Sequence, residues 1–303
     1  MTGTYRNPVL HADWSDPDVI RVGDDFYLVA SSFHRVPGLP ILHSRDLVNW
    51  SIIGHGLPWL EPEAWVTTVD GADWFLHFQD KGAFGRVVHL QPMRWVDGWP
   101  SIGAPPGQPV LSHAKPSGSG VPTAPAAGDD FAGPVLGAQW AWAGNPDPGW
   151  WSFQPGGGLR LACVPSGGDL RRLPNLLGQR LPADRFRATT TLRLTGARAG
   201  LTILGRSYAW IGLEGRTLVH RVAGEGEPER DAAPPVAVGD AAVAVGVEVT
   251  PDGYCQFLAG ERPVGPPFAA TAGHWVGATL RLFATGDGGV ADVTALHITG
   301  TSP

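Results

Sequence analysis

Asp16 is the residue of this chain whose type and setting best suit chemistry. It stands in Trp14-Ser15-Asp16-Pro17-Asp18, where the following proline pushes its backbone towards an extended conformation. A carboxylate fixed in this way can take a proton from a positioned water as a general base. Asp before Pro is equally a common turn device, so the residues alone leave both readings open. Hydrolysis by a carboxylate pair needs a second carboxyl group to act as the acid, and residues 1–104 contain only two glutamates, Glu61 and Glu63. Both lie in Leu57-Pro58-Trp59-Leu60-Glu61-Pro62-Glu63, a proline-broken stretch that reads as an exposed acidic loop.

Other chemistry finds less support. His34, His43, His55, His77, His89 and His113 are dispersed, with none of the short spacings beside cysteines that a zinc site needs. No cofactor or metal is expected, apart from a secondary expectation that Asp129-Asp130 could offer oxygens to calcium, against the simpler reading of a turn. Gly156-Gly157-Gly158 lacks a following Lys/Thr or helix and reads as a turn rather than a phosphate loop. Cys163 and Cys255 each lie in an apolar, strand-like stretch. They are expected as free, buried thiols, with one disulfide as the alternative.

The scaffold that must position these groups is β-rich. The chain has 303 residues, enough for two domains, and its 42 Gly and 29 Pro interrupt it too often for long helices. A formal charge of −6 without a Lys/Arg cluster argues against nucleic acid and acidic polysaccharide as partners. No run is long and apolar enough for a membrane span, and Met1–Pro8 lacks the apolar core of a signal peptide, so a cytoplasmic protein without membrane contact is expected.

Three regions separate by composition. In residues 1–104, runs such as Phe26–Ala30, Pro40–His43, Trp50–Ile53, Ala64–Thr68, Trp74–Phe78 and Arg86–Leu90 have strand length, with turn signals at Gly23-Asp24-Asp25 and Asp70-Gly71. They predict two antiparallel sheets of about four strands each. Residues 105–128 are dense in Pro, Gly and Ser and read as extended linker. Residues 129–303 carry short strand candidates at regular intervals, at 159–163, 186–192, 199–204, 208–213, 243–249, 254–257 and 278–283, which predicts a β-sandwich. Trp140, Trp142, Trp150, Trp151, Trp210 and Trp275 load this part with rings, most of them expected in its core.

The segment from Asn7-Pro8-Val9-Leu10 through Ser44-Arg45-Asp46-Leu47-Val48-Asn49-Trp50 resembles the first propeller blade of glycoside hydrolase family 43, the β-xylosidase and α-L-arabinofuranosidase group. Gly85–Pro92 followed by Trp95–Pro100 resembles the end of that family's last blade. From Asp129-Asp130-Phe131 onwards, including Asn175–Gln179 and Leu282–Gly286, the chain resembles the sandwich appended to the β-xylosidase branch. The resemblance implies an all-β fold: an incomplete, about two-blade version of a five-bladed β-propeller, followed by a concanavalin-like β-sandwich. Blade one would end near His55 and blade five begin near Ala64, with the middle blades missing. Two blades cannot close a ring, so exposed blade edges open to self-association are expected.

For the site, the resemblance implies that Asp16 is the general base of an inverting glycosidase. It further implies that Phe33 packs on the sugar, that Arg86 binds its hydroxyls and that Trp14 is a third substrate contact. An aromatic face suits the C–H surface of a pyranose and a guanidinium supplies several donors. The general acid and the aspartate that tunes it lie in the missing blades. The implied partner is a small pentose oligosaccharide, bound with weak or no turnover. The alternative is a non-catalytic carbohydrate- or partner-binding protein acting through its sandwich.

Overall fold

The computed structural model describes residues 15–31, 38–57, 67–69, 72–105, 107–114, 126–274 and 276–300. They are all-β, with short 3-10 turns and no α-helix among them. The chain divides into two compact units, Met1–His77 with His89–Gly120, and Phe78–Val88 with Val121–Pro303.

Two antiparallel four-stranded meanders form in the N-terminal region, as the runs predict. The first joins β1 (Ser15–Val22), β2 (Asp25–Ser31), β3 (Gly38–Ser44) and β4 (Ser51–Leu57) in that order; the second joins β5 (Thr67–Val69), β6 (Ala72–Asp80), β7 (Arg86–Val96) and β8 (Trp99–Ile102). The β1–β2 hairpin turns at Gly23-Asp24, and Asp25 already pairs with Val22. The β7–β8 hairpin turns on Asp97 and Gly98, both left-handed at φ 51° and 79°, the conformation that suits a two-residue turn to the strands' twist.

Among the described residues few apolar side chains are buried here: Leu28 and Leu42 pack with Trp50 in the first sheet, and Trp74 and Met93 are buried in the second. The stretch expected as linker begins by closing back on the second sheet. The buried Gln91 amide donates to Val110 O at 3.1 Å and accepts from Val110 N at 2.7 Å, which satisfies a polar group that burial would otherwise penalise.

The second unit holds a 15-stranded sheet system. Its strands are β9 (Ala141–Trp142), β10 (Trp151–Phe153), β11 (Leu159–Ala162), β12 (Leu177–Arg180), β13 (Phe186–Leu204), β14 (Tyr208–Glu214), β15 (Thr217–Ala223), β16 (Arg230–Asp231), β17 (Val236–Ala237), β18 (Val243–Val249), β19 (Tyr254–Ala259), β20 (Arg262–Pro263), β21 (Phe268–Ala269), β22 (Thr279–Val293) and β23 (His297–Thr299). The candidates at 186–192 and 199–204 prove to be one 19-residue strand, β13. Its pairing with β22 shifts register between Gly196 and Arg198, a bulge that bends a strand without ending it. The first half of β13 pairs with β18 and β23, the second with β14, and β22 runs beside it from Leu192 to Leu204.

Alternation along these strands sorts side chains between two apolar clusters. Leu201, Ile203, Ile211, Leu280 and Leu282 join Leu159, Val247 and Phe257 in the main core. Their alternates Tyr208, Trp210 and Phe283 face the other way and are covered by Leu170, Leu173 and Leu176 of the 165–176 loop. Cys163 and Cys255 are free and buried; burial pushes the Cys255 thiol up to about 12. Of the six tryptophans expected mostly in the core, Trp210 is fully buried, whereas Trp140, Trp142, Trp150 and Trp151 are half-buried and Trp275 lies outside the described residues. Trp142 contacts Trp151 and Trp150 with ring centroids 5.0 and 5.6 Å apart, so these rings seal the core's margin instead of filling it.

Candidate functional site

Asp16 lies in a β-bulge. Ser15 pairs with Ser31 and Asp18 with Val29, so three steps on β1 oppose two on β2. Proline lacks the N–H that a ladder requires and is accommodated in strands at bulges; Asp16-Pro17 supplies the extra residue. Bulges re-aim side chains and recur beside active sites. Phe33 and Trp14 lie outside the described residues, as do Glu61 and Glu63. Arg86 is the first residue of β7 and is exposed. It belongs to the Phe78–Val88 segment of the second unit, while Asp16 belongs to the first.

Groups that look reactive in the first sheet serve its turns. His43 Nε2 lies 2.6 Å from Asp25 Oδ1 and Arg45 Nε lies 3.1 Å from the same oxygen. The His43 hydrogen bond, reinforced by Arg45, holds the Asp25 carboxyl below its ordinary range. In Ser44–Trp50, Asp46 accepts from the backbone N–H groups of Val48 at 3.0 Å and Asn49 at 2.7 Å, and from the Asn49 side chain at 2.5 Å. These donors, led by Asn49, hold the Asp46 carboxyl well below the carboxylate range. Trp50 Nε1 closes the same turn on Leu47 O at 2.9 Å. The residues that carry the family resemblance here build a turn.

Asp129 likewise adopts the turn alternative. Its Oδ1 accepts from Phe131 N and its Oδ2 from Trp140 Nε1, each at 2.8 Å. Among the described residues no group of three or more His, Cys, Asp and Glu side chains is placed to hold a metal ion.

The second unit contains a polar site that the sequence did not announce. Glu229, with a side chain 8% exposed, is bound by Arg198 Nη2. Its Oε1 accepts from Tyr208 Oη at 2.9 Å and Trp210 Nε1 at 3.2 Å, and Arg198 lies over the Trp210 ring, 4.8 Å from its centroid. Burial, then the neighbouring Glu229 charge, pushes the Tyr208 hydroxyl well above its ordinary value. Arg171 ties three segments together: its Nε binds Asp169 at 2.9 Å, its Nη1 donates to Gly224 O and Arg206 O at 2.7 and 3.0 Å, and its Nη2 to Glu227 O at 3.0 Å. These bonds hold two loops away from the sheet and frame a cavity of about 900 Å³, lined by residues 167–172, 204–208, 225–229 and 273–281 in part. Each of these charged groups falls at an alternating or loop position, where solvent contact is the ordinary sequence reading. No periodic signal separates them from surface residues.

Residues 128–297, more than half of the chain, match the beta xylosidase C-terminal concanavalin A-like domain, and residues 5–66 match glycosyl hydrolases family 43. The chain belongs to glycosyl hydrolase family 43. It joins a truncated catalytic-type region to the family's concanavalin A-like sandwich. A putative beta-xylosidase of Xylanibacter ruminicola is 37% identical over 157 residues, 50% of this chain and 30% of that protein. A non-reducing end alpha-L-arabinofuranosidase of Bacteroides ovatus is 57% identical over 54 residues, 18% of this chain and 10% of that protein. This family 43 chain therefore spans less than a third of the length of these curated relatives. Among solved structures, a bifunctional GH43-CE protein of Bacteroides eggerthii superposes with a TM-score of 0.65 at 19% identity, covering 98% of this chain and 64% of that one. A GH43 protein of Bacillus licheniformis gives 0.64 at 18%, covering 94% and 64%. At such identities the likeness concerns the fold.

Proposed function

We propose that this family 43 chain recognises xylo- or arabino-oligosaccharides and retains the general-base position of an inverting glycosidase, with slow or no turnover. The observation that carries the reading is the bulge at the head of β1, which gives Asp16 an extended, proline-fixed backbone at the mouth of the first blade-type sheet. An ionised carboxylate there activates a water. Completing the inversion requires an acid on the leaving oxygen, roughly 6.5 to 9.5 Å from the base. The family's acid belongs to blades this chain does not carry, and removal of such a group costs on the order of a hundred- to ten-thousandfold in rate.

The test is hydrolysis of an aryl β-xyloside and an aryl α-L-arabinofuranoside by the full chain and by Asp16→Asn. The expected result is a trace of turnover that Asp16→Asn removes, together with calorimetric binding of neutral xylo-oligosaccharides. Turnover at ordinary glycosidase rates refutes the loss of the acid, and activity indifferent to Asp16→Asn refutes the base. The cavity of the second unit supports a second reading, in which the sandwich itself binds a ligand. Binding that persists unchanged in Asp16→Asn and weakens on substitution of cavity residues favours it.

A further inference from the structure

Arg171, Arg172, Arg206 and Arg281 line the cavity, with Arg172 and Arg206 exposed to solvent; the half-buried Arg171 and Arg281, and Arg198 beside Glu229, differ in how their donors are used. Arg198 is committed to Glu229, and Arg171 spends Nε and both Nη groups on Asp169 and backbone carbonyls. Arg281 is different. Its Nε donates to Thr279 Oγ1 at 2.7 Å, and Thr279 in turn donates to Leu204 O at 3.2 Å. Among the described residues no carboxylate lies within ion-pair distance of it, and no hydrogen bond engages its Nη groups. The guanidinium is half-buried and lines the cavity. Burial lowers its pKa from the ordinary arginine value, the sign of a cation removed from water without an opposing charge.

The fold makes room for this arrangement. Gly178 pairs directly with Arg281 across β12 and β22, and a Cβ at position 178 would run into Arg281 Cγ. The stem therefore lies flat over a glycine, its Nε is pinned by Thr279, and the two terminal amino groups remain. A guanidinium held in this way presents a planar fork that matches a carboxylate. The lining also carries exposed groups of both signs, Arg206 and His274 with Glu225 and Glu227. This mixed lining disfavours a dianion such as a phosphate ester. It suits a ligand with one negative charge and many hydroxyls, since carboxylates accept from hydroxyl groups. A volume of about 900 Å³ is far larger than an inorganic anion needs and falls within the usual range of small-molecule sites.

We propose that this cavity binds a uronosyl unit of a short oligosaccharide, with the terminal amino groups of Arg281 gripping its carboxylate. The sugar class rests on the reading under Proposed function; the carboxylate does not. One charged unit on a short ligand is also compatible with the net charge of −6, which disfavours a polyanion.

The experiment is titration calorimetry on the full chain with three probes: xylotriose carrying a single glucuronosyl group, neutral xylotriose, and inorganic phosphate. The acidic oligosaccharide is expected to bind about tenfold more tightly than the neutral one, the scale of a charge-assisted hydrogen-bond pair. Arg281→Gln should erase that margin at an unchanged melting temperature, and Gly178→Ala should shrink it by displacing the arginine stem. Should Arg281→Gln fail to fold, Thr279→Val keeps the charge, frees Nε and is expected to cut the margin about threefold by loosening the fork. Equal affinity for the two sugars overturns the proposal, as does a margin that survives undiminished in folded Arg281→Gln or, failing that, in Thr279→Val, or phosphate that displaces the acidic sugar at equal concentration. Binding of neutral xylotriose tests the pentoside reading separately, and its absence leaves the carboxylate comparison intact.

Discussion

The first N-terminal sheet and the sandwich are both antiparallel β-structure, yet they rest on different physics. In the sheet β1–β4, Leu28 and Leu42 are buried, while Val19, Ile20, Val22, Ile52 and Ile53 are 41–60% exposed. In the sandwich, Leu159, Leu177, Leu201, Ile203, Ile211, Leu280 and Leu282 are all at 0%. Apolar burial is the main favourable term in folding, so the sandwich supplies nearly all of it. Among its described residues, the region matching family 43 at residues 5–66 carries the family likeness with Leu28 and Leu42 as its buried apolar side chains. Likeness to a family and self-sufficient stability reside in different parts of this chain.

The sharpest way to break that contrast is to cut one ion pair in each region. Glu229→Gln leaves the Arg198 cation with only the Glu214 carboxylate, 3.6 Å away, and should cost the main urea transition on the order of 3 kcal/mol, the low end of the scale for breaking a buried pair. Asp25→Asn removes an acceptor that His43 and Arg45 reach from a solvated surface, and should leave the transition in place. A comparable loss from both would erase the distinction.

Core truncation sharpens it next. Leu282→Ala opens a cavity in the main cluster and should cost about 3 kcal/mol by the same measurement. Leu42→Ala should instead accelerate amide exchange within β2 and β3 and leave the global midpoint unmoved.

The third effect is a dependence on pH. His220 is 1% exposed, its ring tilted against Phe257 with centroids 4.8 Å apart, and neither ring nitrogen has a side-chain hydrogen-bond partner among the described residues. Burial lowers its pKa to about 4. The unfolded chain, with a histidine near 6.5, therefore takes up the proton first as pH falls. Stability from the neutral ring is complete above about 6.5 and is lost as pH drops towards 4, by up to roughly 3 kcal/mol. His220→Phe should flatten the curve of melting temperature against pH over that interval.

Much of the fold was legible because turns are written in few residues. Gly23-Asp24 ended β1, and the alternating runs located most strands to within a few positions. The single strand β13 was not legible, because Gly196 reads as punctuation. Here a bulge carries the chain past it, and Gly196 and Gly289 let β13 and β22 approach closely. The tryptophans were expected mostly in the core, and several of them pack against it from the margin.

At the site, Asp16-Pro17 pointed to extended backbone or a turn, and the structure accommodates it in a register shift of β1, because only certain strand positions tolerate proline. Arg281 and Glu229 escaped notice, because a charge at an alternating strand position or in a loop looks like an ordinary solvated residue. What distinguishes them is the loop packed over that face, a tertiary fact that local pattern does not contain.

The length of β13 also sets a timetable. Its Leu192 must find Val293, and its Arg187 must find Thr299, so the strand emerges from a ribosome long before its main partners exist. Pairings this distant are slow to form and leave unpaired edges exposed meanwhile. Half of the sandwich cannot wait as a finished piece. Its assembly waits for the synthesis of β22 and β23, and until then the chain depends on whatever keeps nascent β-edges from meeting one another.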